Sequence, residues 1–334
     1  MLKFYKMLFL MSLMSGSLIA ISSYSWLSMW IGLEINLLSI IPLLSDSNNL
    51  YPSESAIKYF ITQAMASIIL LFSMISAANF NDIMFIESSN YWLMILNSAI
   101  LTKMGAAPFH AWFPEVMEGL DWVNSFIMLT WQKLAPMVIL MYNSKMTLFF
   151  SIIVIISSAT SGILGINQIS LRKILAYSSI NHIGWMISSM LNSVTIWMIY
   201  FIIYTTITFN IVILFKMNNV FSLKQLFNSF NNKKLLKLFF ITNFMSLGGL
   251  PPFLGFFPKW LTINNLVNNG FIVLSVILIV STLITLFFYL RITFTTLIIN
   301  TSETTPYKIN NSMFSISAIN LVSLAGLIFC TLMF

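Results

Sequence analysis

A lysine stands inside a long apolar segment of this chain, and a glycine and a proline follow it at once: Leu101-Thr102-Lys103-Met104-Gly105-Ala106-Ala107-Pro108-Phe109-His110. The segment covers residues 91–119. A lysine at bilayer centre costs about 2.5–3.5 kcal/mol on insertion scales. Proline removes a backbone donor and clashes with the preceding turn, so the helix is expected to break here. Broken backbone at membrane depth survives only where protein buries it or where it lines a watery cavity. A buried lysine beside a broken helix therefore reads as an element of an ion pathway. The alternative is a kinked helix whose lysine snorkels to the surface. The rest of the chain decides between the two.

Composition makes the membrane reading general. Hydrophobic residues make up 58% of the 334 and charged residues 7%, against about 25% charged in soluble domains. Nucleic-acid binding is excluded, because no basic cluster sits in a soluble module. Cys330 is the single cysteine, which excludes internal disulfides and cysteine-ligated metal clusters within this sequence. The start, Met1-Leu2-Lys3-Phe4-Tyr5-Lys6, leads into an apolar run without a small-residue cleavage site and reads as the first membrane helix. No nucleotide-binding loop, metal-ligand cluster or nucleophile triad is apparent.

Apolar stretches of bilayer-spanning length recur at 7–22, 26–44, 58–78, 91–119, 122–142, 147–166, 173–191, 194–216, 235–267, 271–298 and 313–333. The expected fold is an all-α polytopic membrane protein of about eleven spans. The polar connection from Lys216 to Lys237 is expected to carry a short surface helix with Val220, Phe221, Leu223, Leu226 and Phe227 on its apolar face. Lys3, Lys6, Lys58, Arg172, Lys173, Lys216, Lys224, Lys233, Lys234, Lys237 and Lys308 fall on the side of the N-terminus, and Lys145 falls on the other. The positive-inside rule then places the N-terminus in the cytosol or a mitochondrial matrix and the C-terminus opposite.

The ninth segment repeats the feature of the fourth: Leu247-Gly248-Gly249-Leu250-Pro251-Pro252-Phe253-Leu254-Gly255-Phe256-Phe257-Pro258-Lys259. Gly248, Gly249, Pro251, Pro252 and Pro258 are expected to break it as Gly105 and Pro108 break the fourth. A shift of five segments reverses direction through the membrane. This is the pattern of inverted repeats, 7–142 matched to 147–298, with 313–333 outside. Paired interrupted helices in corresponding positions point to a transport site.

Few ionisable groups are expected deep in the bilayer, chiefly Glu34, Lys103, Lys133 and Lys259. Intramembrane charges face the protein interior and mark ion or proton pathways. Lysine can load and release a proton when its environment changes, which arginine cannot. Glu34 and Lys103 are the natural pair. A static buried ion pair that locks two helices would leave Lys133 and Lys259 unexplained. His110, placed after the first break, and His182 are candidate relays, since histidine titrates near neutral pH. Each is as readily a hydrogen-bonded packing residue.

Five stretches carry a resemblance: Trp30-Ile31-Gly32-Leu33-Glu34-Ile35-Asn36, Gly105-Ala106-Ala107-Pro108-Phe109-His110, Trp131-Gln132-Lys133-Leu134-Ala135-Pro136, Ser179-Ile180-Asn181-His182-Ile183-Gly184-Trp185 and Gly248-Gly249-Leu250-Pro251-Pro252-Phe253. Together, and in this order, they resemble the antiporter-like subunits in the membrane arm of NADH:ubiquinone oxidoreductase, respiratory complex I. The match covers essentially the whole chain. The Asn-, Ile-, Met-, Phe- and Ser-rich composition with two arginines is similar to arthropod mitochondrial members. The resemblance implies a multi-pass protein of the mitochondrial inner membrane and proton-translocating roles for Glu34, Lys103, Lys133 and Lys259. It implies no cofactor on this chain, with NADH, FMN, iron–sulfur clusters and ubiquinone on other subunits. The implied partners are neighbouring membrane-arm subunits and structural phospholipids. A stand-alone cation/proton antiporter and a purely structural membrane subunit are the rival readings. In the implied orientation, protease reaches the Lys216–Lys237 connection in inverted inner-membrane vesicles and spares it in mitoplasts. Cleavage from the intermembrane side overturns that orientation.

Overall fold

The computed structural model describes residues 4–46, 49–80, 86–144, 146–230, 234–298 and Asn320. All regular elements among them are helical, beside one isolated bridge between Ser170 and Ser222. The eleventh expected span apart from Asn320, with Cys330 in it, and the residues Lys3, Lys145, Lys233 and Lys308 lie outside the described residues. The other ten expected spans all have helical counterparts. Seven of these are long and apolar enough to cross a membrane by length and composition. The chain divides into two compact units, Met1–Phe150 and Ser151–Phe334.

In the first unit, α1 (Phe4–Ser22) packs along α2 (Trp26–Leu44), and α2 along α3 (Leu50–Phe80). The close fit of α1 on α2 comes from small residues. A Cβ added at Gly32 would lie 2.6 Å from the Ala20 backbone nitrogen, and one at Gly16 would lie 2.9 Å from that of Asn36. Without a hydrophobic force between helices in lipid, such backbone approach is what supplies dispersion contact. The fourth span is two pieces, α4 (Ile86–Met104) and α5 (Trp112–Gly119). The fifth, expected as one helix, is α6 (Trp122–Leu129) and α7 (Trp131–Tyr142). The interruption is at Thr130, with φ −119° and ψ −71°. Its hydroxyl donates back to the Phe126 carbonyl at 2.7 Å, a bond that bends helices. Pro136 then denies the Gln132 carbonyl its helical donor.

Helix α8 (Thr147–Gly165) begins at the end of the first unit, and in the second unit it is followed by α9 (Leu171–Met190), which is buried on all sides. Helices α10 (Val194–Asn218), α13 (Phe256–Asn268) and α14 (Ile272–Ile298) pack around α9. Ser178, Ser179, Ser188 and Ser189 donate to carbonyls of α9 itself at 2.7–2.8 Å. The surface helix is α11 (Leu223–Phe230), with Leu226 and Phe230 buried. Gln225 reaches back to accept from the Phe221 and Ser222 N–H groups at 2.8 and 3.2 Å, as in a capping box. The ninth span is again two pieces, α12 (Lys234–Gly248) and α13. Asn243 of α12 donates to Asn320. Arg291 donates to the Ile166 carbonyl from an exposed position on α14. Broad apolar exposure on α1, α3 and α14 gives these helices lipid-facing sides.

Gly32→Ala, made at the matching position of a genetically tractable relative, forces α1 off α2 and is expected to lower stability by about 1–3 kcal/mol. Gly248→Ala is the control, since its added Cβ meets only side-chain atoms at 3.7 Å. Thermal melting of the detergent-solubilised protein checks this, and equal melting of the two variants overturns it.

Candidate functional site

Both breaks begin with the same helix end. In α4 the Ala106 N–H bonds Leu101 O and the Gly105 N–H bonds Thr102 O, each at 3.1 Å. In α12 the Leu250 N–H bonds Met245 O at 3.3 Å and the Gly249 N–H bonds Ser246 O at 3.0 Å. These are Schellman closures, and their left-handed residues are Gly105 at φ +73° and Gly249 at φ +77°. An X-Pro peptide is cis in each break, at Ala107–Pro108 and at Pro251–Pro252. Gly105 through Glu115 therefore matches Gly249 through Lys259 position by position.

Two expected breakers have other roles. Gly248 is the last residue of α12. Pro258 lies in the first turn of α13, as Pro114 does in α5. The first four N–H groups of a helix have no internal partner, so proline there breaks nothing and fixes φ for the helix to start. His110 lies within the break and not after it. It is half-buried, and its Nδ1 has no hydrogen-bond partner.

The lysines stand on opposite lips. Lys103 is in the last turn of α4, before its break. Lys259 is in the first turn of α13, after its break, where Glu115 stands in the first unit. A cation near a helix N-terminus is unfavourable for that helix, but near a C-terminus it is favourable. Lys259 bends back to the favourable end. Its Nζ donates to Gly248 O at 2.8 Å and Leu247 O at 3.2 Å. A Cβ on Gly249 would lie 2.9 Å from that Nζ and 2.7 Å from the lysine Cδ, so any side chain there would displace the lysine from this crossing, besides straining the left-handed backbone. In the first unit neutral groups occupy the helix end. Trp112 Nε1 donates to Thr102 O at 3.1 Å, and Gln63 Nε2 to Lys103 O at 3.5 Å.

Lys103 is 7% exposed and lines a small cavity with Leu33, Asn36, Tyr59, Gln63, Gln132 and Pro136. Glu34 is on the neighbouring α2, and its Oε1 is buried without a hydrogen-bond partner. The two residues make no direct ion pair. Direct ion pairs instead join Lys58 to Glu54 at 3.0 Å and to Glu115 at 3.4 Å. Lys103 instead ends among amides and a phenol, where its interaction with Glu34 acts through space.

Lys133, expected mid-span, falls in the first turn of α7 because of the interruption at Thr130. It is 1% exposed, with Nζ 5.2 Å from the Phe113 ring centroid, a cation–π distance. His182 is 5% exposed and meets the Tyr200 hydroxyl at 2.9 Å through Nδ1. It shares a cavity with Ser246, Leu247, Gly255 and Pro258 of the second break. Trp185, on the same helix, has its ring centroid 5.8 Å from Lys259 Nζ. His182 and Lys259 thus border one break in the second unit, while Glu34, Lys103, Lys133 and His110 belong to the first. Asn36, Tyr59, Gln63, Gln132 and Tyr200 were not singled out from the sequence. A polar residue inside an apolar helical run was the available signal for each.

Among the described residues no group of three His, Cys, Asp or Glu side chains is placed to hold a metal ion.

Residues 23–285 match the family model described as NADH:quinone oxidoreductase/Mrp antiporter, transmembrane. The chain is 46% identical to NADH-ubiquinone oxidoreductase chain 2 of Anopheles gambiae, over 98% of this chain and 97% of that one. It is 44% identical to the protein of that name from Locusta migratoria, over 98% and 96%. Its fold resembles a chain in respiratory complex I from Thermus thermophilus, with a TM-score of 0.86 at 24% identity over 97% of this chain and 78% of that one. A chain in the Mrp complex of Dietzia gives a TM-score of 0.79 at 14% identity over 97% and 75%. With broken helices in place and a family model matched over most of its length, the chain belongs to the NADH:quinone oxidoreductase/Mrp antiporter family.

Proposed function

We propose that this chain is a proton-translocating, antiporter-like core subunit in the membrane arm of respiratory complex I. It would couple NADH oxidation and ubiquinone reduction on other subunits to proton movement from the mitochondrial matrix to the intermembrane space. The carrying observation is that three lysines lie buried in apolar helices, two of them at the lips of paired helix breaks. A purely structural subunit has no use for three buried ammonium groups, each expensive to hold. The near-full-length relatives named NADH-ubiquinone oxidoreductase chain 2 supply the assembly.

In this reading Glu34, Lys103 and Lys133 carry protons in the first unit, and Lys259 with His182 carries them in the second. His110, inside the first break, is a further relay. The units are inverted five-helix repeats, 7–142 and 147–298. The matched Gly105/Gly249, Pro108/Pro252 and Pro114/Pro258 positions support this, as does the division of the chain at Phe150 and Ser151. The protein lies in the inner membrane with its N-terminus in the matrix and its C-terminus in the intermembrane space. Its partners are neighbouring membrane-arm subunits and structural phospholipids. Redox cofactors sit on those other subunits. The likeness to a chain of the Mrp complex favours a second reading, a stand-alone cation/proton antiporter. Migration with NADH-oxidising activity in native gels separates the two, and a free active monomer favours the antiporter.

Lys133→Met keeps length and apolar bulk but removes the titrating group. In vesicles carrying the equivalent substitution in a tractable relative, proton uptake per NADH oxidised is expected to fall sharply while the complex still assembles. Lys133→Arg is expected to fail as well, because a guanidinium does not release its proton. Normal pumping by both assembled variants removes Lys133 from the pathway. Tolerance of arginine alone marks it as structural.

A further inference from the structure

The cavity beside Lys103 is lined by a clamped amide. Gln132 Nε2 donates to Asn36 Oδ1 at 2.8 Å, and the Tyr59 hydroxyl donates to Gln132 Oε1 at 3.4 Å. All three side chains are buried, and they come from α7, α2 and α3. With one partner on each end, the amide has a fixed orientation. Neither Asn36 nor Tyr59 could be replaced by an apolar residue without stranding a buried polar atom.

The position of Gln132 in the chain is also constrained. Trp131 before it reaches α1, with Nε1 donating to Ser17 Oγ at 3.1 Å. Lys133 after it reaches the Phe113 ring on α5. Gln132 therefore sits between two anchors at the start of α7 and faces Lys103 across the cavity. Pro136 lines the same cavity and has no N–H to offer the Gln132 carbonyl. The cavity thus gathers an amine, a phenol and the side-chain amides of Asn36, Gln63 and Gln132. Its volume of about 20 Å³ matches the single-probe volume that one buried water needs. A buried water takes two to four polar partners, and this lining supplies them.

We propose that Gln132, clamped by Asn36 and Tyr59, is a positioning residue that holds one ordered water against the Lys103 amine. This rests on the proton-translocating role argued above for Lys103. The water is the hydrogen-bond partner that the ammonium lacks in any direct ion pair with Glu34. It stays with the amine in both charge states, since water both accepts and donates. Gln132 thereby sets where the Lys103 nitrogen points, without itself gaining or losing a proton. Glu34, two residues before Asn36 on α2, acts on Lys103 from outside this shell. The titratable groups facing the site are Lys103, Tyr59 and Glu34.

The test uses the intact complex of a tractable relative. Gln132→Leu, Gln132→Glu and Tyr59→Phe are compared for assembly, for NADH oxidation by an artificial acceptor, and for NADH:quinone turnover across pH. Gln132→Leu is expected to assemble and to oxidise NADH normally with the artificial acceptor. Its coupled turnover is expected to fall about tenfold, the upper range for one lost hydrogen bond. Gln132→Glu keeps the shape and the acceptor for Tyr59, and Asn36 can turn its amide to donate to the carboxylate in place of the lost Nε2 bond, so turnover returns near neutral pH. Its pH profile is displaced, because a carboxylate beside an ammonium changes the pH at which the proton leaves. Tyr59→Phe is expected to give a smaller loss of turnover with unchanged assembly, and it serves with Gln132→Glu if Gln132→Leu does not assemble. Native turnover with an undisplaced profile in the assembled Gln132 and Tyr59 variants overturns the proposal. Equal losses in Gln132→Leu and Gln132→Glu with no displacement show a packing role and also overturn it. If Lys103→Met and Lys133→Met are harmless too, the broader reading of the chain falls with it. If only the Gln132 and Tyr59 variants are harmless, that reading stands.

Discussion

A helix that ends inside a bilayer leaves carbonyls pointing at a medium that cannot bond them. The rest of this structure depends on how two such ends are satisfied. Each first closes on itself through a left-handed glycine, at Gly105 and Gly249. What remains is met by side chains from elsewhere. In the first unit they are neutral, an indole and an amide. In the second the donor is the Lys259 ammonium. The backbone pattern is shared, and the chemistry laid over it is not. A neutral cap leaves Lys103 available to a cavity of amides, whereas Lys259 is itself part of the cap.

Placement of charge follows from that difference. Glu115 and Lys259 occupy matched positions in the first turns of α5 and α13. The glutamate is exposed and meets Lys58, where its negative charge suits the helix N-terminus. The lysine turns away from the start of its own helix toward the end of another. One scaffold position thus holds a solvated acid in one unit and a buried base in the other. Substitution at either site has to be judged by its partners, not by its counterpart.

The spans and both breaks were legible in the sequence because they rest on local properties: apolar length, a left-handed glycine and a proline. Lysines in apolar runs were legible for the same reason, since their desolvation cost is independent of context. The interruption at Thr130 was not, because a threonine back-bond has no compositional mark. Pro258 starts a helix where a breaker is expected, because a proline's effect depends on whether it lies in a helix's first turn or its interior. The Gln132 clamp was hidden because Asn36, Tyr59 and Gln132 are far apart in sequence and converge only when α2, α3 and α7 pack. The pairing expected of Glu34 and Lys103 is not a direct ion pair, because Lys103 lies in a cavity lined by amides and a phenol.

The burial of α9 on every side bears on how the chain enters a membrane. A helix that carries several serines and an asparagine and shows no lipid face in the folded protein must still cross the bilayer before its neighbours surround it. Its serine hydroxyls are already bonded to carbonyls one turn back on the same helix. They ask nothing of the surroundings during insertion. The polar load exposed to lipid at that stage shrinks chiefly to Asn181 and His182, beside the Tyr177 and Trp185 side chains. The partners of Asn181 and His182, Thr285 and Tyr200, lie on helices made later, so α9 is inserted nearly self-sufficient and is completed by α10 and α14.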